Sequence, residues 1–136
     1  DLSERDWTAM LDVNLLGAVR LARHALPGML RRENGQLIVI GSRRGREPAP
    51  ETSAYSASKA AVQAFLSGLG LEVNRFGVHT CLIMPGGVRT DFGGVAAADK
   101  DDRFLDPSTI ADMAVYFLRH PNNAWIREVT VLPLGL

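Results

Sequence analysis

Apolar residues along this chain follow two patterns, which predict buried strands and helices with one buried face. Short, continuous, β-branched runs are typical of parallel strands covered on both faces. Such runs lie at residues 36–40 and 78–84, and a third strand is predicted at residues 127–132. Longer segments carry apolar residues every three or four positions, the spacing of a helix with one buried face. These segments lie at residues 3–15, 15–34, 52–77 and 106–121.

Residues that favour helix ends flank these segments. Ser3 is expected to cap the first helix, with Asp6 completing a capping box. Pro27 is expected to bend or break the second helix, because proline lacks the N–H that a helix interior uses. The remaining predicted boundaries are a C-cap at Asn34-Gly35, a start at Thr52 or Ser53, and a fourth helix from Asp106-Pro107 to about His120-Pro121.

The alternation of strands and helices predicts an α/β fold. We expect a Rossmann-like, doubly wound, mainly parallel sheet of about three strands with right-handed crossovers, and residues 1–136 as a single domain. Ligands of such sheets bind beyond the carboxyl ends of the strands. Ser42 follows one predicted strand end and Pro85-Gly86 follows another, so the sequence predicts a site where these two ends meet.

Composition narrows the possible partners. Lys+Arg and Asp+Glu both number 15, so the net charge is zero and nothing draws the whole chain to nucleic acid or to an anionic membrane. No apolar run approaches the ~18 residues of a membrane span, and a cytoplasmic protein is expected. The one cysteine, Cys81, lies in an apolar run and is expected to be an inert core residue. The three histidines show no metal-binding spacing.

Tyr55 and Lys59 are four residues apart, so on a helix their side chains share one face. A nearby ammonium group and a position in the first turn of a helix both stabilise a phenolate. Ser42 can hydrogen-bond the oxygen on which such a tyrosine acts. Together these three side chains predict an acid–base site for interconverting a carbonyl and an alcohol, a reaction whose other half is the transfer of a hydride.

The same residues carry a family resemblance. Ser42, twelve intervening residues, and Tyr-Ser-Ala-Ser-Lys-Ala-Ala-Val from Tyr55 resemble the active-site signature of the short-chain dehydrogenases/reductases. Asn14, within Asp-Val-Asn-Leu-Leu-Gly, matches the helix asparagine of that family. Pro85-Gly86-Gly87-Val88-Arg89-Thr90 matches its P-G-x-V-x-T turn. The resemblance covers essentially all 136 residues.

The resemblance implies a role for each matched residue. Tyr55 is the general acid/base, Ser42 polarises the carbonyl, and Asn14 holds a proton-relay water. Lys59 assists the ionisation of the tyrosine. The residues implied to bind the nicotinamide end of the cofactor are Tyr55, Lys59, Pro85, Gly86, Val88 and Thr90. The implied cofactor is NADP or NAD, with NADP favoured because residues 126–133 resemble the ending of NADP-dependent members that act on small hydroxy acids or aldehydes.

The resemblance also implies a small-molecule carbonyl or alcohol substrate and a homodimer paired through helices 15–32 and 52–76. One departure opens an alternative. The chain has no G-x-G-x-x-G, and it resembles only the C-terminal, catalytic part of the family. The alternative is therefore a non-catalytic fragment or a dimerising interaction module that cannot bind cofactor alone.

Two further readings stay open. The mid-helix Asn14 is either aimed into the site or simply marks a local kink. Arg43, Arg44 and Arg46 follow Ser42 and either meet a carboxylate or phosphate on the substrate or belong to a solvated loop. The loop at residues 91–106, which would shape the substrate pocket, shows no readable period.

Overall fold

A computed structural model describes residues 2–94, 96–101, 103–119 and 124–134. Within these ranges the chain forms a three-stranded parallel sheet with helices packed on both faces. This confirms the predicted α/β, Rossmann-like class. None of the helices in the described ranges combines the length and the apolar character that crossing a bilayer requires.

The strands run in the order β1 (Gly35–Ile40), β2 (Val78–Pro85) and β3 (Glu128–Val131), with β2 in the centre. All neighbours are parallel, and Ile40 lies opposite Ile83 in the register. Seven of the eight β2 residues are buried, which explains why its sequence is apolar without alternation. The three predicted strands are therefore confirmed to within one residue at each end.

Each face of the sheet carries its own apolar cluster. On one face Leu82 and Met84 of β2 pack against Ala22 and Leu66 of the helices α2 (Gly17–Arg31) and α3 (Ser53–Val73). On the opposite face, Cys81 and Ile83 pack against the helix α4 (Pro107–Arg119), through Ile110 and Phe117. Cys81 is buried, which confirms it as a core residue, and burial raises the pKa of its thiol to about 11.

The placement of the helices corrects one prediction. α3 links β1 to β2 over one face, and α4 links β2 to β3 over the other. The step from β1 to β2 and the step from β2 to β3 run in the same direction across the sheet, but their helices lie on opposite faces. The two crossover connections therefore have opposite handedness. The prediction that both crossovers are right-handed is wrong for one of them. β1 and β2 carry apolar residues on both faces, and α4 covers the face that α3 leaves bare.

The N-terminal helices form one continuous helical run. α1 (Glu4–Leu11) begins at the predicted capping box between Ser3 and Asp6. It passes through a π-helical turn, Asp12–Leu16, into α2. Pro27 does not break α2, which ends at Arg31 instead of the predicted cap at Asn34-Gly35.

The remaining boundaries lie close to their predicted positions. Thr52 precedes α3, and a 3₁₀ turn, Asn74–Phe76, carries the chain from α3 to Gly77, which adopts the left-handed conformation. The loop before α4 contains a short 3₁₀ turn, Ala97–Asp99, where no periodic structure was predicted. α4 begins at Pro107, as expected, and the predicted helix end near His120-Pro121 lies outside the described residues.

Candidate active site

The end of β1 delivers Ser42 into a buried position. The strand pairing continues one residue further, where the Gly41 N–H donates to the Ile83 carbonyl at 2.7 Å. Ser42 is 7% exposed, and its Oγ accepts the Arg44 N–H at 3.1 Å. Since this hydroxyl already accepts a hydrogen bond from the backbone, its own proton is directed elsewhere. The Ser42 hydroxyl can therefore donate a hydrogen bond to an oxygen atom in the site.

The first half of α3 places three polar side chains in one row: Tyr55, Lys59 and Gln63. Gln63 donates through Nε2 to the Ser42 carbonyl at 2.8 Å, a buried hydrogen bond. Lys59 Nζ lies 3.5 Å from the Ile40 carbonyl and 5.8 Å from the centre of the Tyr55 ring. The helix that carries the tyrosine is thus tied to the strand end that carries the serine. Spacing alone did not identify Gln63, although its position one turn after Lys59 was a usable signal.

Asn14 reaches the same helix. Its Nδ2 donates to Ser58 Oγ at 3.0 Å, and Ser58 Oγ donates to the Tyr55 carbonyl at 2.7 Å. Ser58 is fully buried, so both hydrogen bonds are shielded from water at their Ser58 end. Asn14 lies in the π-helical turn, Asp12–Leu16, and such turns often occur at functional sites. Asn14 therefore lies in a local distortion, and its side chain is turned towards α3.

Burial lowers the pKa of Lys59, because removing the side chain from water disfavours its charged form. Its stem lies against the end of β1, and its ammonium is within cation–π range of the Tyr55 ring. The cation is therefore partly desolvated directly beside the phenol. In that setting its field acts through protein more than through water, which strengthens its effect on a neighbouring negative charge.

The turn at Pro85–Thr90 continues from the end of β2. Gly86 N–H donates to the Val131 carbonyl at 2.8 Å, and Val88 bridges to Leu105. Thr90 N–H then donates to the Val88 carbonyl at 2.9 Å, which tightens the turn. The turn approaches the serine–tyrosine cluster through Phe92, whose ring lies 5.6 Å from the Tyr55 ring. Sequence reasoning identified the turn but not Phe92, because the loop showed no periodicity.

The arginines after Ser42 have partners within the chain. Arg43 Nε lies 3.6 Å from the Glu47 carboxylate, and Arg44 donates to the Glu47 carbonyl at 3.2 Å. Arg46 pairs with Glu128 at the start of β3. These contacts fit the solvated-loop reading of the cluster.

Comparison with known proteins gives a consistent set of similarities. The sequence profile of the short chain dehydrogenases matches residues 1–101. An uncharacterised oxidoreductase from Staphylococcus saprophyticus subsp. saprophyticus is 40% identical over 131 residues, covering 94% of this chain and 54% of that protein. Serine dehydrogenase from Escherichia coli superposes with a TM-score of 0.84 at 31% identity, over 100% of this chain and 57% of that one.

A further solved structure is the alcohol dehydrogenase of the archaeon Thermococcus sibiricus, complexed with 5-hydroxy-NADP. It superposes with a TM-score of 0.89 at 26% identity, again over 100% of this chain and 57% of that one. The chain therefore spans just over half the length of the relatives it matches.

Proposed function

Because the chain belongs to the short-chain dehydrogenase family of oxidoreductases, we propose that it is the C-terminal, catalytic part of an NAD(P)-dependent enzyme that interconverts a carbonyl and an alcohol. The observation that carries the proposal is the row of polar side chains along α3. Tyr55 stands beside the partly buried Lys59, and Gln63 on the same row holds the strand end of Ser42. The helix that carries Tyr55 is thereby tied to the strand end that carries Ser42.

In this proposal Tyr55 transfers the proton. It is the third residue of α3, near the positive end of the helix dipole, and the Lys59 ammonium lies over its ring side. Both effects stabilise the negative charge that develops on the phenol oxygen as its proton leaves. Ser42 donates its free hydroxyl proton to the substrate oxygen and holds it within reach of the phenol.

Lys59 and Asn14 supply the rest of the proposed proton path. Among the described residues, the only hydrogen bond of the Lys59 ammonium is the long contact with the Ile40 carbonyl. The other protons of the Lys59 ammonium are suited to donate hydrogen bonds to ribose hydroxyls. Asn14 uses its Nδ2 on Ser58, which leaves Oδ1 as an acceptor for a water that connects to the lysine. The buried Ser58 keeps that amide in its orientation.

The donor set fits the nicotinamide end of a dinucleotide. The Tyr55 hydroxyl and Lys59 ammonium suit the ribose, while the Pro85, Gly86 and Val88 backbone and the Thr90 hydroxyl suit the carboxamide. Phe92 N–H donates to Thr90 Oγ1 at 3.4 Å, so the Thr90 hydroxyl proton remains available. When bound, the cofactor supplies or accepts the hydride. We favour NADP, which is supported by the 5-hydroxy-NADP complex of the archaeal relative.

The homodimer is also a proposal. The outer surfaces of α2 and α3 expose Leu21 and Leu71, at 58% and 64%, together with the small residues Ala57 and Ala64. Small side chains permit close approach of a second helix pair. These exposed surfaces favour pairing through helices 15–32 and 52–76.

An assay of hydride transfer tests the proposed function directly. NADPH oxidation is followed with aldehyde substrates, using the chain alone and the chain preceded by the upstream half of a relative. We expect activity in the extended protein, and a loss of about 10²–10⁴-fold on Tyr55→Phe, the range of general acid–base catalysis. Tyr116→Phe, on α4, is the matched control and should retain activity. An active Tyr55→Phe variant would overturn the mechanism, and failure of both proteins to bind cofactor would favour an interaction module.

A further inference from the structure

The second lysine of the chain organises the loop that follows Thr90. Lys100 Nζ donates to the Thr90 carbonyl, and to the Phe92 carbonyl at 2.8 Å. The same ammonium lies 5.5 Å from the centre of the Phe104 ring, within cation–π range. Two carbonyls that lie two residues apart therefore converge on one cation. The backbone between them is held in a curl.

Other contacts shape this curl. The Asp91 carboxylate accepts the Ala97 N–H at 2.9 Å, and the Thr90 hydroxyl accepts the Phe92 N–H at 3.4 Å. Gly93 and Gly94 have φ angles of 90° and 77°, a left-handed conformation that reverses the chain directly after Phe92. The segment is thus folded by its own side chains, although its sequence shows no helical or strand period.

The curl brings Phe92 onto the proposed acid–base residue. The rings of Phe92 and Tyr55 are 5.6 Å apart and inclined by 43°, within the usual range for aromatic pairs. Phe92 is nevertheless 70% exposed, so most of its ring faces open space beside the phenol. This exposed face is available for contact with an apolar group of a substrate. The position and exposure of the Phe92 ring match those of one wall of a binding site.

We infer that Phe92 determines substrate specificity and that Lys100 is the residue that positions it. Phe92 forms an apolar wall next to the Tyr55 hydroxyl, which selects carbonyl compounds with an aromatic or other apolar group beside the carbonyl carbon. Lys100 acts through backbone carbonyls and has no direct contact with the substrate. This inference rests on the proposed function, because the wall has meaning only if Tyr55 acts on the substrate.

The positioning role can be tested on the chain itself by NMR with labelled tyrosine. The chain has two tyrosines, and Tyr116→Phe assigns the remaining signal to Tyr55. Removal of the neighbouring ring by Phe92→Leu should shift the Tyr55 ring signals. Lys100→Met should shift them in the same direction, because it releases the curl, and Lys100→Arg should restore part of the effect. Arg103→Met removes an exposed cation from the same loop and should leave them unchanged.

Two outcomes would overturn the positioning role. Tyr55 signals that move with Phe92→Leu but not with Lys100→Met would refute the positioning of Phe92 by Lys100. Signals that move with neither variant would refute the contact between the rings.

The specificity role is tested in the extended protein by comparing kcat/KM for benzaldehyde and glycolaldehyde, whose carbonyl carbon carries a polar hydroxymethyl group. We expect Phe92→Ala to lower the preference for benzaldehyde about fivefold, mainly through KM, and Lys100→Met to lower it in the same direction. Arg103→Met should keep the original preference. An unchanged preference in Phe92→Ala would refute the apolar wall. An extended protein that is inactive with both aldehydes would refute the proposed function, while the NMR comparison would still decide the positioning role.

Discussion

Lys59 illustrates how burial changes the acid–base properties of a side chain. Desolvation lowers the pKa of its ammonium, so the folded protein gives up this proton at a lower pH than the unfolded chain does. Between those two pKa values the unfolded chain carries a proton that the folded protein lacks. The free energy of unfolding therefore rises with pH in this window. Below the window both forms are charged, and the folded protein bears the full cost of the buried cation.

We predict that Lys59 titrates below 10.5, the ordinary value for lysine. The chain has two lysines, so ¹³Cε-labelled lysine gives two NMR titration curves, and Lys100→Arg assigns the one that belongs to Lys59. A midpoint at or above 10.5 would contradict the prediction.

The Cys81 thiol contributes the opposite slope to the free energy of unfolding. Burial raises its pKa from 9.0 to about 11, so stability falls as pH rises through that interval. The contribution of Lys59 is therefore measured as the difference between the original chain and Lys59→Met. Both titrations have one cause, since burial disfavours whichever form of a side chain is charged.

The sequence indicated the candidate site residues better than the residues that support them. Ser42, Tyr55 and Lys59 were predicted from residue type and separation, and Asn14 from the family resemblance. Each of them lies on α3 or the end of β1, or contacts one of these. Their hydrogen-bond partners, such as the fully buried Ser58, were not predicted. A buried serine carries no periodic signal, and its role depends on which helix packs against it.

At the scale of elements, Pro27 shows where local rules fall short. Proline removes one hydrogen bond from a helix interior, which predicted a bend or break near the C-terminal end of α2. The helix nevertheless continues to Arg31. Pro27 is exposed, so the carbonyl that loses its partner can be hydrated. Exposure at that position follows from tertiary packing, which the local pattern does not contain.

The junction between α3 and β2 depends on one glycine. Gly77 has a φ of 70°, and a Cβ at this position would lie 2.1 Å from the Glu33 carbonyl oxygen. Its own carbonyl accepts the Gly35 N–H at 3.3 Å, at the start of β1. Gly77 therefore sets both the turn and the approach of two strands.

We predict that Gly77→Ala lowers the free energy of unfolding by about 2–4 kcal/mol, from left-handed strain plus the clash with Glu33. Urea unfolding followed by circular dichroism measures the change. Gly28→Ala is the control, because Gly28 is helical and a Cβ there would meet only the ends of arginine side chains, at 3.6 Å and 3.9 Å. It should stabilise the chain by roughly 0.5–1 kcal/mol. Equal effects of the two substitutions would contradict the proposed role of Gly77.

For the whole molecule, the sequence predicted the number and direction of the strands but not the face each helix covers. β2 is apolar on both sides, with Leu82 and Met84 on one and Cys81 and Ile83 on the other. Nothing in such a strand distinguishes its two faces, so the general preference for right-handed crossovers was the only guide. The observed arrangement places α4 alone on one face, and α2 with α3 on the other. That pairing presents α2 and α3 side by side at the surface.

This surface leads to the last prediction, that the chain self-associates through α2 and α3. Ala64 is exposed on α3, where a second helix pair would approach closely. We expect Ala64→Glu to weaken self-association more than tenfold in sedimentation equilibrium, because it places a charge and extra bulk at the contact. Leu118→Glu is the matched control on α4, where Leu118 is 53% exposed. Dissociation by the Leu118 variant alone would move the interface to α4, and a monomeric original chain at all concentrations would refute self-association.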